Sequence, residues 1–482
     1  MTPSDYTVLV LYFAFVAVIG SWAGRGQKSG VAYFLADRSL HWLPAGITMI
    51  AVSVSAITFI GMPGQSYRSD WRFLQLYLMI PVAAILTCRI FLPRYTRMGV
   101  ETAYEFLERR FDLRTRLLAS GLFLLIIAST GGVVLYAPAI VLSEMTNLSV
   151  VQSIFLIGVV TAIYTMLGGV RGVIYTDILQ AGVFMSAWLA SVWAILRGLP
   201  GGLIGAWSIA MDHGKLRLID PSFDPNVPAT LWSGVIAMLF THLALISMNQ
   251  KQVQKYLAAS GEANGRRAIL FQGVGLLGVY VAFFSLGTLL FVFYRVHSAS
   301  LPEGLVPDRV FPYFIMHELP QGLRGFVIAG AFAAAMSTMS ATLNSLANVT
   351  VIDFWDRFRP GNTVRRAKLA TALWGAASIF AGVLAWRLGS ILESIVKVNS
   401  YFYGCLLGVF LLGALTESAK AAGACAGLLI SVCAVLVCAW AQPGMWVWFG
   451  AIGCVVSFVA GYFVSTLDFH ELRHRSPQRA RN

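Results

Sequence analysis

The sequence predicts an all-α protein that crosses a lipid bilayer about thirteen times. Of its 482 residues, 57% are hydrophobic and only 12% charged, for a mean hydropathy of +0.72. Apolar runs of about 20 residues, the length a helix needs to cross a hydrocarbon core, recur from end to end. The alternating ten-residue segments of a membrane barrel do not occur, and inside a bilayer only helices and closed barrels satisfy their own backbone.

The first run, 6 to 24, follows "MTPSDY", which lacks the basic segment of a secretory signal, and no small-residue cleavage site comes after it. An anchoring helix that stays in the mature protein is expected. The second, 42 to 65, carries "AVSVSAITFIGMPG", where β-branched and Ser residues crowd the middle and Gly61 and Pro63 close it. This helix is expected to break midway, freeing carbonyls such as those of Ala51 and Val54; free backbone at membrane depth is tolerated only where it lines a cavity or binds something. The alternative is an intact helix with ordinary lipid-facing β-branched residues.

A third run, 73 to 93, leads into the basic connector 94 to 114, expected as a short surface helix with Arg109 and Arg110 at lipid headgroups. Runs at 115 to 145, 149 to 168 and 172 to 196 follow. The next, 230 to 249, holds His242 in "IAMLFTHLALIS", where an unpaired polar group is costly, so it needs a partner or a ligand. After 267 to 294 comes the run 322 to 352. The outer loops 198 to 229 and 295 to 321 are too short for a domain and are expected to hold lid helices over an outward-facing cavity.

Within 322 to 352, "AFAAAMSTMSATLNSLANVT" (331 to 350) places hydroxyls and small side chains in a membrane-length segment. At helical spacing, Ala334, Ser337, Thr338, Ala341 and Ser345 share one face, and Ser340 and Asn344 a neighbouring one. A second helix can approach that face closely. Sodium is a hard cation that takes oxygen ligands, and two hydroxyls with bare carbonyls suit it. The alternative is that these hydroxyls only bond the carbonyl four residues back. Runs at 367 to 386, 390 to 415, 420 to 441 and 445 to 466 complete the set; Glu393 and Lys397 stand in the order of an intrahelical ion pair.

The formal charge of +13 follows topology rather than nucleic acid. With the N-terminus outside, roughly 25 of the 35 Lys and Arg fall in or beside cytoplasmic loops and about 9 outside, with Lys397 in a span. The expected placement is the cell inner (plasma) membrane, N-terminus out and C-terminus in, with the lipid bilayer as partner and no nucleic acid. Cys88, Cys405, Cys425, Cys433, Cys438 and Cys454 lack metal-ligand spacing and read as packing residues. His242 has no second His, Asp or Glu within a turn, so no intramembrane catalytic set is present and an enzyme is not expected.

Five stretches together, "SAITFIGMPGQSY", "LGGVRGVIYTDILQ", "SMNQKQVQKYLAAS", "AAAMSTMSATLNS" and "GVFLLGAL", resemble the sodium:solute symporter family over most of the chain. The resemblance implies the LeuT-type fold: a first helix (6 to 24), two five-helix inverted repeats (42 to 196 and 230 to 415), two C-terminal helices (420 to 466) and a tail (467 to 482), with breaks in the second and seventh spans. It implies a transported sodium held by the carbonyls of Ala51, Val54 and Ala334 with the hydroxyls of Ser337 and Thr338. Asp177 and Ser340 mark a second sodium or coupling position, where Ala341 lacks the hydroxyl that two-sodium members carry. The solute is expected beside Ser53, Ser55, Thr58, Phe59, His242, Asn399 and Tyr403. Leu245, His242 and Val396 stand where galactose-type members carry an aromatic gate and amides, while "SAITF" is closer to sialic-acid and monocarboxylate-type members. The arginine that sialic-acid members add in 115 to 145 is absent from "IASTGGVVLY".

The expected function is therefore sodium-coupled import of a small organic solute, such as a sugar, sugar acid or carboxylate, by alternating access, with no organic cofactor. One sodium moving down about 100 mV gains about 2.3 kcal/mol and a tenfold gradient adds about 1.4, enough for roughly several-hundred-fold accumulation of a neutral solute. Proton coupling through His242 or Asp177 is one alternative, against which five converging neutral oxygens argue. A membrane sensor is another, for which the tail after residue 466 leaves no room. The oligomeric state is open, a monomer being one option.

Overall fold

In a computed structural model, residues 1–297, 301, 302, 304–388 and 390–475 are described, with side chains for all of these except 57, 141, 387, 388, 390–400 and 468–475. Among the described residues the regular structure is helical, apart from one isolated parallel bridge between Leu40 and Ala259. The main helices are α1 (Pro3–Ala23), α2 (Trp42–Ser53), α3 (Ala56–Arg68), α4 (Ile80–Ile90), α5 (Leu113–Met145), α6 (Val150–Gly198), α7 (Met238–Ser247), α8 (Gln250–Leu257), α9 (Gly261–Val296), α10 (Leu323–Val349), α11 (Thr363–Leu388), α12 (Ser390–Leu415), α13 (Ala421–Ala441) and α14 (Phe449–Arg475). Among the described residues, nine helices are long and apolar enough to cross a membrane, or up to eleven when two bent pairs each count as one span.

The 49-residue α6 covers two of the expected runs, and it is not one straight rod. A Cβ built on Gly20 would lie 2.8 Å from Tyr164 Cβ and 3.1 Å from Thr176 Cγ2. Twelve residues of straight helix would hold those two side chains about 18 Å apart. The chain therefore turns back on itself, and the turn falls at Gly169, whose φ of 53° and ψ of −156° only glycine adopts without strain.

Helix α10 is the centre of the bundle: every residue from Val327 to Val349 is buried. Its run of Ala, Ser, Thr and Gly lets neighbours approach on all sides, which a surface helix with one apolar stripe would not allow. Asp5 at the start of α1 pins its N-terminal end, Oδ1 accepting from the backbone N–H of Gly322 at 2.8 Å and of Gly325 at 3.1 Å. At the other end Asp353 is buried and accepts from Arg116 Nη2 at 2.5 Å, Thr102 at 2.7 Å and Ser120 at 2.8 Å. Helix-end donors hold the first carboxylate and a guanidinium with two hydroxyls the second, so neither end slides freely.

Two spans are broken. Helix α2 stops at Ser53, Val54 is extended, and Ser55 caps α3, with a bend of 59°. Helices α7 and α8 meet at a 53° bend, where the Asn249 side chain accepts from the N–H of Lys251. The stretch 250–257, expected as the start of a cytoplasmic loop, is thus the second half of a bent span. The connector 94–114 also differs from expectation. Arg110 does not face headgroups: its guanidinium donates to the carbonyls of Gly413 at 3.2 Å and Thr416 at 2.6 Å, at the C-terminal end of α12. Carbonyls left over at a helix end draw a nearby cation inward. The two loops expected on the outside carry short helices, Gly202–Asp212 and Val310–His317. The Glu393–Lys397 pair lies outside the described side chains.

Candidate functional site

The break in α2 lies against the middle of α10. Val54 closes α2 in a tightened turn, its N–H donating to the carbonyls of Ile50 and Ala51, both at 3.2 Å, and its own carbonyl points out of the helix ladder. Thr338 Oγ1 reaches that carbonyl at 3.3 Å and the carbonyl of Ala334, one turn back on α10, at 3.2 Å. Three neutral oxygens from two helices thus converge, all on buried residues. Ser337, the next residue, turns its hydroxyl toward Asp177 Oδ1 at 2.8 Å. Ser340 donates to the carbonyl of Ser337 at 2.9 Å. The Ala51 carbonyl, expected to be freed at the break, instead accepts the Val54 N–H.

Asp177 sits in the second limb of α6 and is fully buried. Besides Ser337 it accepts from the Thr48 hydroxyl on α2, and the ammonium of Lys255 on α8 lies 3.4 Å from its Oδ2. Lys255 is itself fully buried. Four helices are therefore tied together at one carboxylate, and the charge is balanced inside the protein. Sequence reasoning singled out Asp177 but neither Thr48 nor Lys255.

Between the two bent spans and α9 lies a cavity of about 320 Å³. Ser53, Ser55, His242 and Thr338 line it, as do Lys251, Gln252 and Gln272. The His242 ring is held by its Nε2, 2.8 Å from the Leu76 carbonyl in the short helix Trp71–Tyr77. The ring nitrogen therefore donates there, and the other nitrogen is left as an acceptor. Ser53 donates to the Met49 carbonyl at 3.0 Å and accepts from Gln252 Nε2 at 2.7 Å. Tyr77 and Tyr280 close one wall, ring centroids 4.2 Å apart.

Thr58, Phe59 and Tyr403 are not among the residues that line this cavity. Thr58 is engaged with Ser55 in the capping box of α3, each backbone N–H reaching the other's hydroxyl at 3.4 Å. Phe59 packs into the core with Phe283 and Phe311, centroids at 5.3 and 5.6 Å, away from the cavity wall. Tyr403 accepts a 3.5 Å hydrogen bond from Asn249 at the break between α7 and α8. The Asn399 side chain lies outside the described residues. Lys251, Gln252 and Gln272 were not singled out from the sequence, and the only signal for the first two was their place inside the stretch "SMNQKQVQKYLAAS".

A profile of the sodium:solute symporter family matches residues 33–431. The human sodium/iodide cotransporter is 32% identical over 439 residues, 88% of this chain and 68% of that protein. The sodium/sialic acid symporter NanT of Aliivibrio fischeri is 28% identical over 96% of this chain and 93% of its own. A solved structure of a Na+-coupled sialic acid symporter, in a substrate-bound outward-open state, superposes with a TM-score of 0.91 at 27% identity, covering 97% of this chain and 98% of that one.

Proposed function

This chain belongs to the sodium:solute symporter family, and we propose that the sodium it carries binds where α2 breaks against α10. It is a multi-pass membrane transporter with the LeuT-like fold, and it couples sodium to the movement of a small organic solute without catalysing a reaction. The proposed ligands are the carbonyls of Ala51, Val54 and Ala334 and the hydroxyls of Ser337 and Thr338. One observation carries this assignment: Thr338 Oγ1 stands within 3.3 Å of both the Val54 and Ala334 carbonyls, a cluster of neutral oxygens on buried residues. Such a set offers a hard monovalent cation the oxygens it needs without a fixed anion.

Thr338 also lines the cavity that holds Ser53, Ser55 and His242. Sodium at Thr338 would fix the broken turn of α2, and that turn is part of the solute wall. Coupling then needs only that sodium bind the outward state more tightly than the inward one. Two features support one sodium per solute. The carboxylate of Asp177 is already engaged by Thr48, Ser337 and the ammonium of Lys255, and Ala341 brings no hydroxyl beside Ser340.

The repeat boundaries 42 to 196 and 230 to 415, with 6 to 24 before and 420 to 466 after, are proposed with the breaks at Val54 and Met248 as support. The N-out, C-in orientation rests on the excess of Lys and Arg on one side, which survives moving Lys251 and Lys255 from loop to span. Sodium-dependent thermal stabilisation of the purified protein tests the sodium site. The wild type should be stabilised by sodium over potassium or choline, and Thr338→Ala should lose that response. An unchanged response would remove the assignment.

A further inference from the structure

We propose that Lys251 holds the negative charge of an organic anion in the central cavity, while the amides of Gln252 and Gln272 bond that solute's hydroxyl or N–H groups. The inference rests on reading this cavity as the solute site, and names the chemical class that fits it.

Two lysines stand one turn apart on α8, and they differ in partnership. Lys255 is paired with Asp177 at 3.4 Å. Lys251 lines the cavity, and its ammonium has no carboxylate or other acceptor among the described residues. Lys251 is half-buried, and a cation that has given up part of its hydration without a counter-charge favours a ligand of opposite charge.

The amides point to the rest of the ligand. Gln272 is 1% exposed, and its side-chain amide makes no hydrogen bond among the described residues. Gln252, 6% exposed, uses its Nε2 on the Met49 carbonyl at 3.1 Å and on Ser53 Oγ at 2.7 Å, which leaves Oε1 without a partner. Both residues line the same cavity as Lys251. Buried polar atoms are nearly always paired, so two unmet amide oxygens beside a half-buried ammonium with no counter-charge describe what fills the space.

The set separates the candidate classes. A neutral sugar would satisfy the two amide oxygens and leave Lys251 unmet. A halide or a purely aliphatic carboxylate would satisfy Lys251 and leave both amide oxygens unmet. A hydroxycarboxylate answers all three, because its carboxylate accepts from the ammonium while its hydroxyls donate to the glutamines. At about 320 Å³ the cavity holds on the order of ten water volumes, which fits a small solute.

Binding to the full-length protein, read as thermal stabilisation in sodium buffer, tests the proposal. The probes are D-gluconate, D-glucuronate and L-lactate, each against its neutral counterpart, D-sorbitol, D-glucose and lactamide. At least one acid should bind about tenfold or more tightly than its counterpart. Lys251→Met should weaken that acid by a similar factor and keep stabilisation by sodium alone, whereas Lys251→Arg should retain the acid. Neutral members binding as well as the acids, no acid binding, or a Lys251→Met protein with unchanged affinity would each overturn the proposal. If Lys251→Met does not fold, the wild-type comparison of each acid with its counterpart still decides. Loss of the response to sodium alone in the wild type is a separate outcome, and it overturns the sodium site instead.

Discussion

Thr338 Oγ1 lies 3.3 Å from the carbonyl oxygen of Val54, so one hydroxyl of the central helix bridges to the broken end of α2. The same hydroxyl is 3.2 Å from the Ala334 carbonyl of its own helix. A proton can serve only one of the two carbonyls well at a time; a cation among the three oxygens is attracted to all of them. Thr338→Ala removes one of the proposed ligands and should raise the sodium concentration for half-maximal uptake by roughly five- to 150-fold, the equivalent of about 1–3 kcal/mol for an unmet polar requirement. Thr338→Ser should stay near wild type. Uptake assayed against sodium concentration in proteoliposomes checks this, and an unshifted Thr338→Ala curve would count against the site.

The meeting of the Thr338 hydroxyl with the broken end of α2 was legible in sequence because its signals are local. Hydroxyls and alanines at helical spacing in an apolar run mark Ser337 and Thr338, and β-branched and Ser residues before Gly61 and Pro63 mark the break at Val54. The cavity wall was legible only in part, in Ser53, Ser55 and His242 and not in Lys251, Gln252 and Gln272. Residues 249–257 read "NQKQVQKYL", polar enough to look like a loop and basic enough to fit the cytoplasmic excess, and only tertiary packing turns them into a buried half-span. His242 was visible as a costly mid-span polar group, but its partner is the Leu76 carbonyl, which no side-chain pattern encodes. Arg110 was misplaced for the same reason, its partners being the last carbonyls of α12.

Lys255 and Asp177 predict the charge carried per cycle. With Asp177 balanced internally, sodium activation should show a Hill slope near one, and Ala341→Ser alone should leave it there. If the solute is a monoanion, one sodium and one solute carry no net charge, and a potassium–valinomycin potential should not change uptake. A tenfold sodium gradient then supports only about tenfold accumulation, since about 1.4 kcal/mol is all the drive available. A slope near two, or strong potential dependence, would contradict this pairing of stoichiometry and charge.

The same pair makes a stability prediction. Lys255→Met leaves a buried carboxylate without its cation and should cost about 3–5 kcal/mol of stability. Lys255→Met combined with Asp177→Asn should recover much of that loss, because the charge is then absent from both sides. A double variant no more stable than Lys255→Met alone would mean that packing of the lysine stem, not charge balance, sets the cost.

His242 should separate structure from recognition. His242→Leu leaves the Leu76 carbonyl unmet and should lower stability by about 1–3 kcal/mol. His242→Gln keeps a donor within reach, so it should hold the fold and the response to sodium alone while changing solute affinity, since the ring lines the cavity. Equal loss of sodium response and solute affinity in His242→Gln, with a lower melting temperature, would assign the ring a purely structural role.

Glu101, in the connector between the third and fourth expected spans, predicts a pH dependence. Its backbone carbonyl accepts from Gln250 at 3.1 Å, which holds the residue beside the start of α8. Burial, and next the neighbouring Glu105, push its carboxyl above the usual range, while Arg38 and Arg116 pull the other way. The folded state therefore holds this proton to higher pH than the unfolded chain does. Its contribution to stability is full below the ordinary glutamate value and is lost as pH rises through the raised one. At neutral pH the wild type bears the cost of a half-buried anion beside Glu105, and Glu101→Gln removes it. The variant should melt higher than wild type near pH 7, and the difference should vanish toward about pH 4, where both side chains are neutral. Melting temperatures of the two proteins across that range check the sign, and a difference that stays constant with pH would trace to the amide's hydrogen bonds rather than to charge.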